Sequence, residues 1–379
     1  MSCDHSRTSR RQFLENSTAA LVASSLAAIP VGSFPAAAAS ATLPFTNAPT
    51  TPRRIILDTD PGVDDAMAIF LAVRSPELKI EAITPVCGNV PLSLTLPNAL
   101  RLLEIAGRAD IPVAAGASTP LVRRLITAKY VHGNNGLGGV EFPEPKIQPV
   151  AAPAVELIRS IVRKNPGEIT IVAVGPLTNI ATVLKTDPSI ATLIKEIVVM
   201  GGSLSGGNIT PSAEFNFYVD PEAARIVFDA GVPVTMVGLN VTERVLLREE
   251  QVRALEAAQN LVSQAAGKIM RATLERMRKG RDVTVVAMHD PLTVAHLIDP
   301  TILTLKDYYV QIETTGELTA GESVAFSGAS PVRRSPPMDT GKLPPELPEE
   351  PFGPNSKVAV DVNVDKFFNL LLSRLTASA

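Results

Sequence analysis

Ile55-Ile56-Leu57-Asp58-Thr59-Asp60-Pro61-Gly62-Val63-Asp64-Asp65-Ala66 joins an apolar run, an acidic turn and the start of a helix. The apolar run reads as a strand buried on both faces, the pattern of a parallel sheet covered by helices. Beyond the Pro61-Gly62 turn, Ala66, Ile69, Phe70 and Val73 recur at helical spacing, and the acidic residues at the start suit the positive end of the helix dipole. The same rhythm continues along the chain, with candidate strands at 55–57, 80–84, 169–174, 197–200 and 234–237. The fold class expected is therefore α/β: a wound, mainly parallel sheet with helices on both faces, in one domain over 53–376. A long helical stretch over 248–278 follows the fifth strand, and a strand at 357–364 and a helix at 365–375 close the domain. Ligands of open α/β sheets bind outside the carboxyl ends of the strands, which directs attention to the loops that follow them.

The first such loop holds Asp58, Asp60, Asp64 and Asp65, four carboxylates within eight residues. Like charges this close raise each other's pKa, and a divalent cation relieves them at neutral pH. Carboxylate oxygens without cysteine favour a hard ion, Ca²⁺ or Mg²⁺, over zinc. The Pro61-Gly62 turn lets Asp60 and Asp65 approach one point from opposite sides. An acidic helix cap would explain Asp64 or Asp65 but not all four. An EF-hand loop counted from Asp58 would need glutamate where Ile69 stands. A phosphatase with an aspartyl nucleophile also opens with strand-Asp-x-Asp and remains an alternative; it has no use for the Asp64-Asp65 pair.

Two later groups carry chemistry. His289-Asp290-Pro291 begins a helix, and if Asp290 joins the ion, His289 enters the same site as a candidate general acid. The alternative for His289 is a structural role, which is the reading for His296. Gly206-Gly207-Asn208 with Glu214-Phe215-Asn216 offers paired donors and acceptors, as a vicinal diol requires; loop and capping chemistry is the alternative.

The 379 residues, 45% of them hydrophobic, suffice for a sizeable core. A net charge of -3, from 35 basic and 38 acidic residues, offers no polycationic surface to nucleic acid and points to small-molecule ligands. Cys3 and Cys87 give no disulfide framework, because Cys3 falls in a segment expected to be removed. That segment, 1–41, reads as an export signal: Ser9-Arg10-Arg11-Gln12-Phe13-Leu14 resembles the twin-arginine consensus, and small residues over 36–41 offer cleavage sites. A retained membrane-anchoring helix would be broken by Pro30 and Pro35. The mature protein is expected to be periplasmic or extracellular, with no stable membrane span. The proline-rich stretch 330–355 reads as a surface excursion without a catalytic role.

Taken together, the blocks resemble the inosine-uridine-preferring nucleoside hydrolase family. Asp58 to Ala66 looks like its amino-terminal signature; Gly88-Asn89, His132-Gly133, Val174-Gly175-Pro176-Leu177-Thr178-Asn179, Met200-Gly201-Gly202, Glu214-Phe215-Asn216 and His289-Asp290-Pro291 follow in the family's order. The resemblance implies cleavage of the N-glycosidic bond of ribonucleosides. It implies Ca²⁺ held by Asp60, Asp65, Asp290 and the carbonyl of Thr178, with Asp60 as general base and His289 protonating the leaving base. Asp64, Asn89, Asn208, Glu214 and Asn216 would grip the ribose, and His132 would line the base pocket. Homo-oligomers are common in such a family. The helical stretch before His289 departs from the pattern in having no aromatic residue over 266–281. A nucleoside-binding protein without catalysis is the rival from another class, separated by product formation.

Overall fold

Along β1 (Arg53–Thr59) successive side chains enter two different cores, Ile55 and Leu57 on one face and Ile56 on the other. Residues in β3 (Thr170–Ala173) and β4 (Glu196–Met200) alternate in the same way, Val172 and Val198 with the first core, Ile171 and Ile197 with the second. The strands are thus buried on both faces, which is why they read as continuous apolar runs. The computed structural model describes residues 51–281, 283–327 and 353–378, which fall within one compact unit.

The sheet also contains β2 (Leu78–Pro85), β5 (Val234–Val237), β8 (Leu303–Ile312), β9 (Ser323–Ser327) and β10 (Ser356–Val362), in the order β2-β1-β3-β4-β5-β10-β8-β9. It is parallel from β2 to β10, with β8 and β9 antiparallel at one edge. β6 (Leu246–Leu247) and β7 (Val286–Ala287) form a separate antiparallel pair. The helices are α1 (Val63–Val73), α2 (Leu92–Ile105), α3 (Lys129–His132), α4 (Ala154–Lys164), α5 (Thr178–Thr186) and α6 (Phe215–Val219). They continue with α7 (Pro221–Asp229), α8 (Leu239–Thr242), α9 (Glu249–Ala257), α10 (Leu261–Arg281), α11 (His289–Ile298) and α12 (Val364–Thr376). Helices α1, α2 and α9 to α12 pack on the first face, and α4, α5 and α7 on the second. α1 is buried from Val63 to Ala72, and so keeps almost no polar side.

All five expected parallel strands are present, and the wound α/β class holds. The 248–278 stretch is not one helix: the chain leaves α9 at Ala258, and Asn260 starts α10 by accepting the Ser263 N–H on its Oδ1 at 2.8 Å. A side chain that caps a new helix competes with continuing the old one. Likewise Asn363 caps α12, ending the last strand at Val362 rather than at 364. The edge strands β8 and β9 are absent from the sequence reading, because the partial exposure of β8 gives it no clean alternation. The export segment 1–41 and residues 330–352 of the proline-rich stretch lie outside the described residues. Among the described residues no helix is long and apolar enough to cross a membrane.

α12 closes the first core through Phe367, Leu371 and Leu375, all fully buried. Phe367→Ala is expected to cost about 3–5 kcal/mol of unfolding free energy, read as a lower urea midpoint at unchanged slope.

Candidate active site

The carboxyl ends of β1 to β5 deliver the functional loops to one end of the sheet, as the parallel topology requires. There Asp60 and Asp65 are fully buried, and Asp64 and Asp290 nearly so. Asp65 accepts from Thr59 Oγ1 (2.5 Å), the Asp60 N–H (3.1 Å), the Gly62 N–H (2.9 Å) and Asn89 Nδ2 (2.9 Å). Asn89 also donates its backbone N–H to Asp60 Oδ2 at 2.6 Å, leaving Asp60 Oδ1 buried without a partner. Glycine is needed on both sides of this carboxylate: a Cβ on Gly88 would stand 2.1 Å from Asp60 Oδ2, and one on Gly175 2.7 Å from Oδ1. Carboxylate oxygens of Asp64, Asp65 and Asp290 lie within 4.8 Å of one another. Asp58 does not share in this. It accepts from Thr84 Oγ1 and Asn179 Nδ2, and so ties β1 to β2 and α5.

No lysine or arginine among the described residues pairs with these aspartates, and the electrostatics show the cost. Burial, then the charge of Asp65, pushes Asp60 well above the usual carboxylate range. Burial, then Asp64, Asp65 and Asp60, does the same to Asp290. Asp64 is pushed up to about 7 by burial and by Asp65. Such a group with a partnerless buried oxygen fits a divalent cation, held by carboxylate oxygens alone.

Above the aspartates is a cavity of about 300 Å³. Asp64, Asn89, Glu214 and Asp290 line it, with Asn208 and Asn216 beside them. Glu214 accepts backbone N–H groups of Gly202, Asn216 and Phe217, yet burial still pushes it up to about 7. Asn216 spends its Nδ2 on the carbonyls of Val174 and Met200, leaving Oδ1 for a ligand; Asn208 spends Oδ1 on the Phe215 N–H, leaving Nδ2. The loops therefore present an acceptor and a donor fixed by the frame, as a diol needs. Tyr130, Met277, Val286 and Ala287 form a more apolar wall, with Glu243 at its edge.

The family model for inosine-uridine preferring nucleoside hydrolase matches residues 55–369. The chain belongs to that family. A protein described as pyrimidine-specific ribonucleoside hydrolase RihA from Citrobacter koseri is 42% identical over 322 residues, covering 85% of this chain and 97% of the relative. Its counterpart from Escherichia coli O9:H4 is 43% identical over the same shares. Among solved structures, the plant nucleoside hydrolase PpNRh1 superposes with a TM-score of 0.77 at 36% identity, covering 86% of this chain and 100% of the other. A purine-preferring ribonucleoside hydrolase from Gardnerella vaginalis gives 0.74 at 30% identity, covering 85% and 98%. This nucleoside hydrolase is a ribonucleoside-cleaving enzyme with a carboxylate group able to hold a metal.

Most of the site residues expected from the sequence of this nucleoside hydrolase meet at the cavity, with Asp60 and Asp65 buried beneath it. Thr178 does not meet them. Its carbonyl accepts from Thr182 Oγ1 at 2.7 Å, its hydroxyl donates to Asp220, and it does not line the cavity. Thr178 opens α5, and carbonyls in a helix point toward its carboxyl end, away from a site at its amino end. The residue of that loop lining the cavity is Val174, the strand-end position directly after β3. Val174 and Met200 could have been found from the strand-end rule; Tyr130, Glu243 and Met277 carry no local signal.

Of the histidines, His289 lines the cavity with Nδ1 hydrogen-bonded to Thr242 Oγ1 at 2.7 Å, and burial pushes it down to about 4. His132 accepts the Val63 N–H on Nδ1 at 3.1 Å, which places its ring proton on Nε2. Burial, then repulsion from His289 and Arg276, pushes His132 down to about 3. Between pH 6.5 and about 3 the unfolded chain binds a proton there that the folded chain refuses. This contribution to stability is complete above pH 6.5 and is lost on acidification. From pH 7 to 4.5 the stability difference should shift toward His132→Gln, by up to about 2–3 kcal/mol. Urea denaturation at each pH checks this; a constant difference would mean that His132 titrates normally.

Proposed function

We propose that this chain is an exported, Ca²⁺-dependent hydrolase that cleaves the N-glycosidic bond of pyrimidine ribonucleosides to ribose and free base. The observation that carries the reading is the buried Asp60 Oδ1, partnerless beneath a cavity whose other polar groups suit a ribose. Asp60, with its unpartnered Oδ1, would hold the ion together with Asp65 and Asp290, two of the three carboxylates that lie within 4.8 Å of one another, and an all-oxygen set of this kind suits Ca²⁺. When bound, the cation would neutralise the carboxylates, lower the pKa of the attacking water and anchor the ribose diol.

The chain's own residues do the rest. Asn89 pins Asp60 Oδ2, so Oδ1 is oriented to accept the proton of the attacking water as general base. Asp64, Asn89, Asn208, Glu214 and Asn216 fix the sugar, and the negative charge of Asp64 and Glu214 favours the cationic ring that develops as the base departs. His289 serves the leaving base. With its pKa pushed down to about 4 it donates a hydrogen bond to the departing nitrogen at neutral pH, and the proton that completes the free base comes from solvent, to which Asp60 returns the one it took from the water.

Preference for pyrimidines is supported by the relatives at 42–43% identity, described as pyrimidine-specific. On the wall α10 contributes Met277 and no aromatic ring, so stacking of a base there falls to Tyr130. The twin-arginine pattern at 9–14 supports export.

Chromatography of products from uridine, cytidine, inosine and adenosine, with Ca²⁺ and with chelator, tests the reading. Ribose and free base are expected, fastest from the pyrimidine nucleosides and suppressed by chelator. Asp60→Ala and His289→Ala should lower kcat by roughly 100-fold or more. Binding without cleavage of any of the four would sink the hydrolase reading in favour of a nucleoside-binding role.

A further inference from the structure

Arg276 precedes the wall residue Met277 on α10, but its guanidinium reaches across to the segment that carries His132. Nη1 donates to the Gly138 carbonyl at 2.8 Å and Nη2 to the Val131 carbonyl. Within that segment the Gly138 N–H returns to the His132 carbonyl at 2.9 Å, so residues 131–138 form a closed turn with the guanidinium spanning its two ends. Gly133, at φ 77°, lies where a Cβ would stand 3.2 Å from Nη1; the turn needs glycine for its backbone and for this approach.

Among the described residues no carboxylate pairs with Arg276, and its Nε is buried without a partner. A half-buried guanidinium held by carbonyls alone pays for desolvation without the return of an ion pair. What it provides is geometry: a rigid planar fork bridges two acceptors at a set distance, and a lysine ammonium does not reproduce that plane. The bridged carbonyls stand at either end of the turn that presents His132, whose Nδ1 is fixed from the other side by the Val63 N–H at the start of α1. His132 is clamped between α10 and α1.

We propose that Arg276 is a positioning residue for substrate binding, holding the 131–138 turn so that His132 keeps one ring tautomer and presents Nε2–H to the cavity. The proposal rests on the reading of the cavity as the ribonucleoside site. Since Arg276 touches neither the aspartates nor His289, its loss should weaken ground-state binding more than chemistry.

A double-mutant cycle tests it, comparing wild type, Arg276→Gln, His132→Gln and the double variant on uridine and cytidine with Ca²⁺ present. Arg276→Gln should raise KM about tenfold with kcat changed less than about threefold, and the increase should disappear in the His132→Gln background. Arg276→Lys should recover part of the loss. Equal increases in KM in both backgrounds, or a fall in kcat at constant KM, would overturn the proposal. Nitrogen-15 NMR of the His132 ring gives a readout that needs no turnover: Arg276→Gln, and more weakly Arg276→Lys, should lose the single tautomer of the wild type. An unchanged tautomer in both variants would overturn the proposal even if the wild type cleaves no nucleoside. Absence of cleavage by wild type would instead refute the functional reading.

Discussion

The constraint on which the structure depends is the burial of Asp60, Asp64, Asp65 and Asp290 in one place with no lysine or arginine among the described residues to balance them. Removing several like charges from water is costly, and the fold offsets part of that with hydrogen bonds to individual oxygens. Asp65 accepts from four donors, while Asp60 is held on one oxygen and left open on the other. The amino ends of α1 and α11 carry Asp64, Asp65 and Asp290, so helix dipoles add favourable partial charge. The remaining imbalance is what a divalent cation would remove.

The parallel sheet makes this arrangement possible. Its strands end together, and each loop beyond them spends some polar atoms on the frame and leaves others to the cavity. Asn89, Asn208, Glu214 and Asn216 all divide their hydrogen-bonding capacity in this way. The far wall is built differently, from the short α3, the β7 residues Val286 and Ala287, and Met277 of α10. The strand-end side of the cavity is therefore framed by hydrogen bonds to the sheet, and the opposite wall depends on a few bridging side chains.

Much of this is legible in the sequence. The strands at β1 to β5 announce themselves because burial on both faces demands continuous apolar runs, and the aspartate loop announces a charge that needs an explanation. The edge strands did not, since half-exposed antiparallel strands carry a weaker pattern. The break at Asn260 was missed because helical periodicity resumes after three residues and hides the cap. Thr178 was misplaced because a motif names a loop without saying which way its carbonyls point.

By itself the sequence determined the fold class, the family and the residues that meet at the carboxyl ends of the strands, because periodicity and local charge act over neighbouring residues. Only the tertiary structure decided that Asp58 leaves the group for Thr84 and Asn179, that Val174 rather than Thr178 faces the cavity, and that Arg276 reaches the His132 turn. These depend on the direction of single bonds between segments far apart in the chain. Such directions are set by packing, on which the spacing of residue types carries no information.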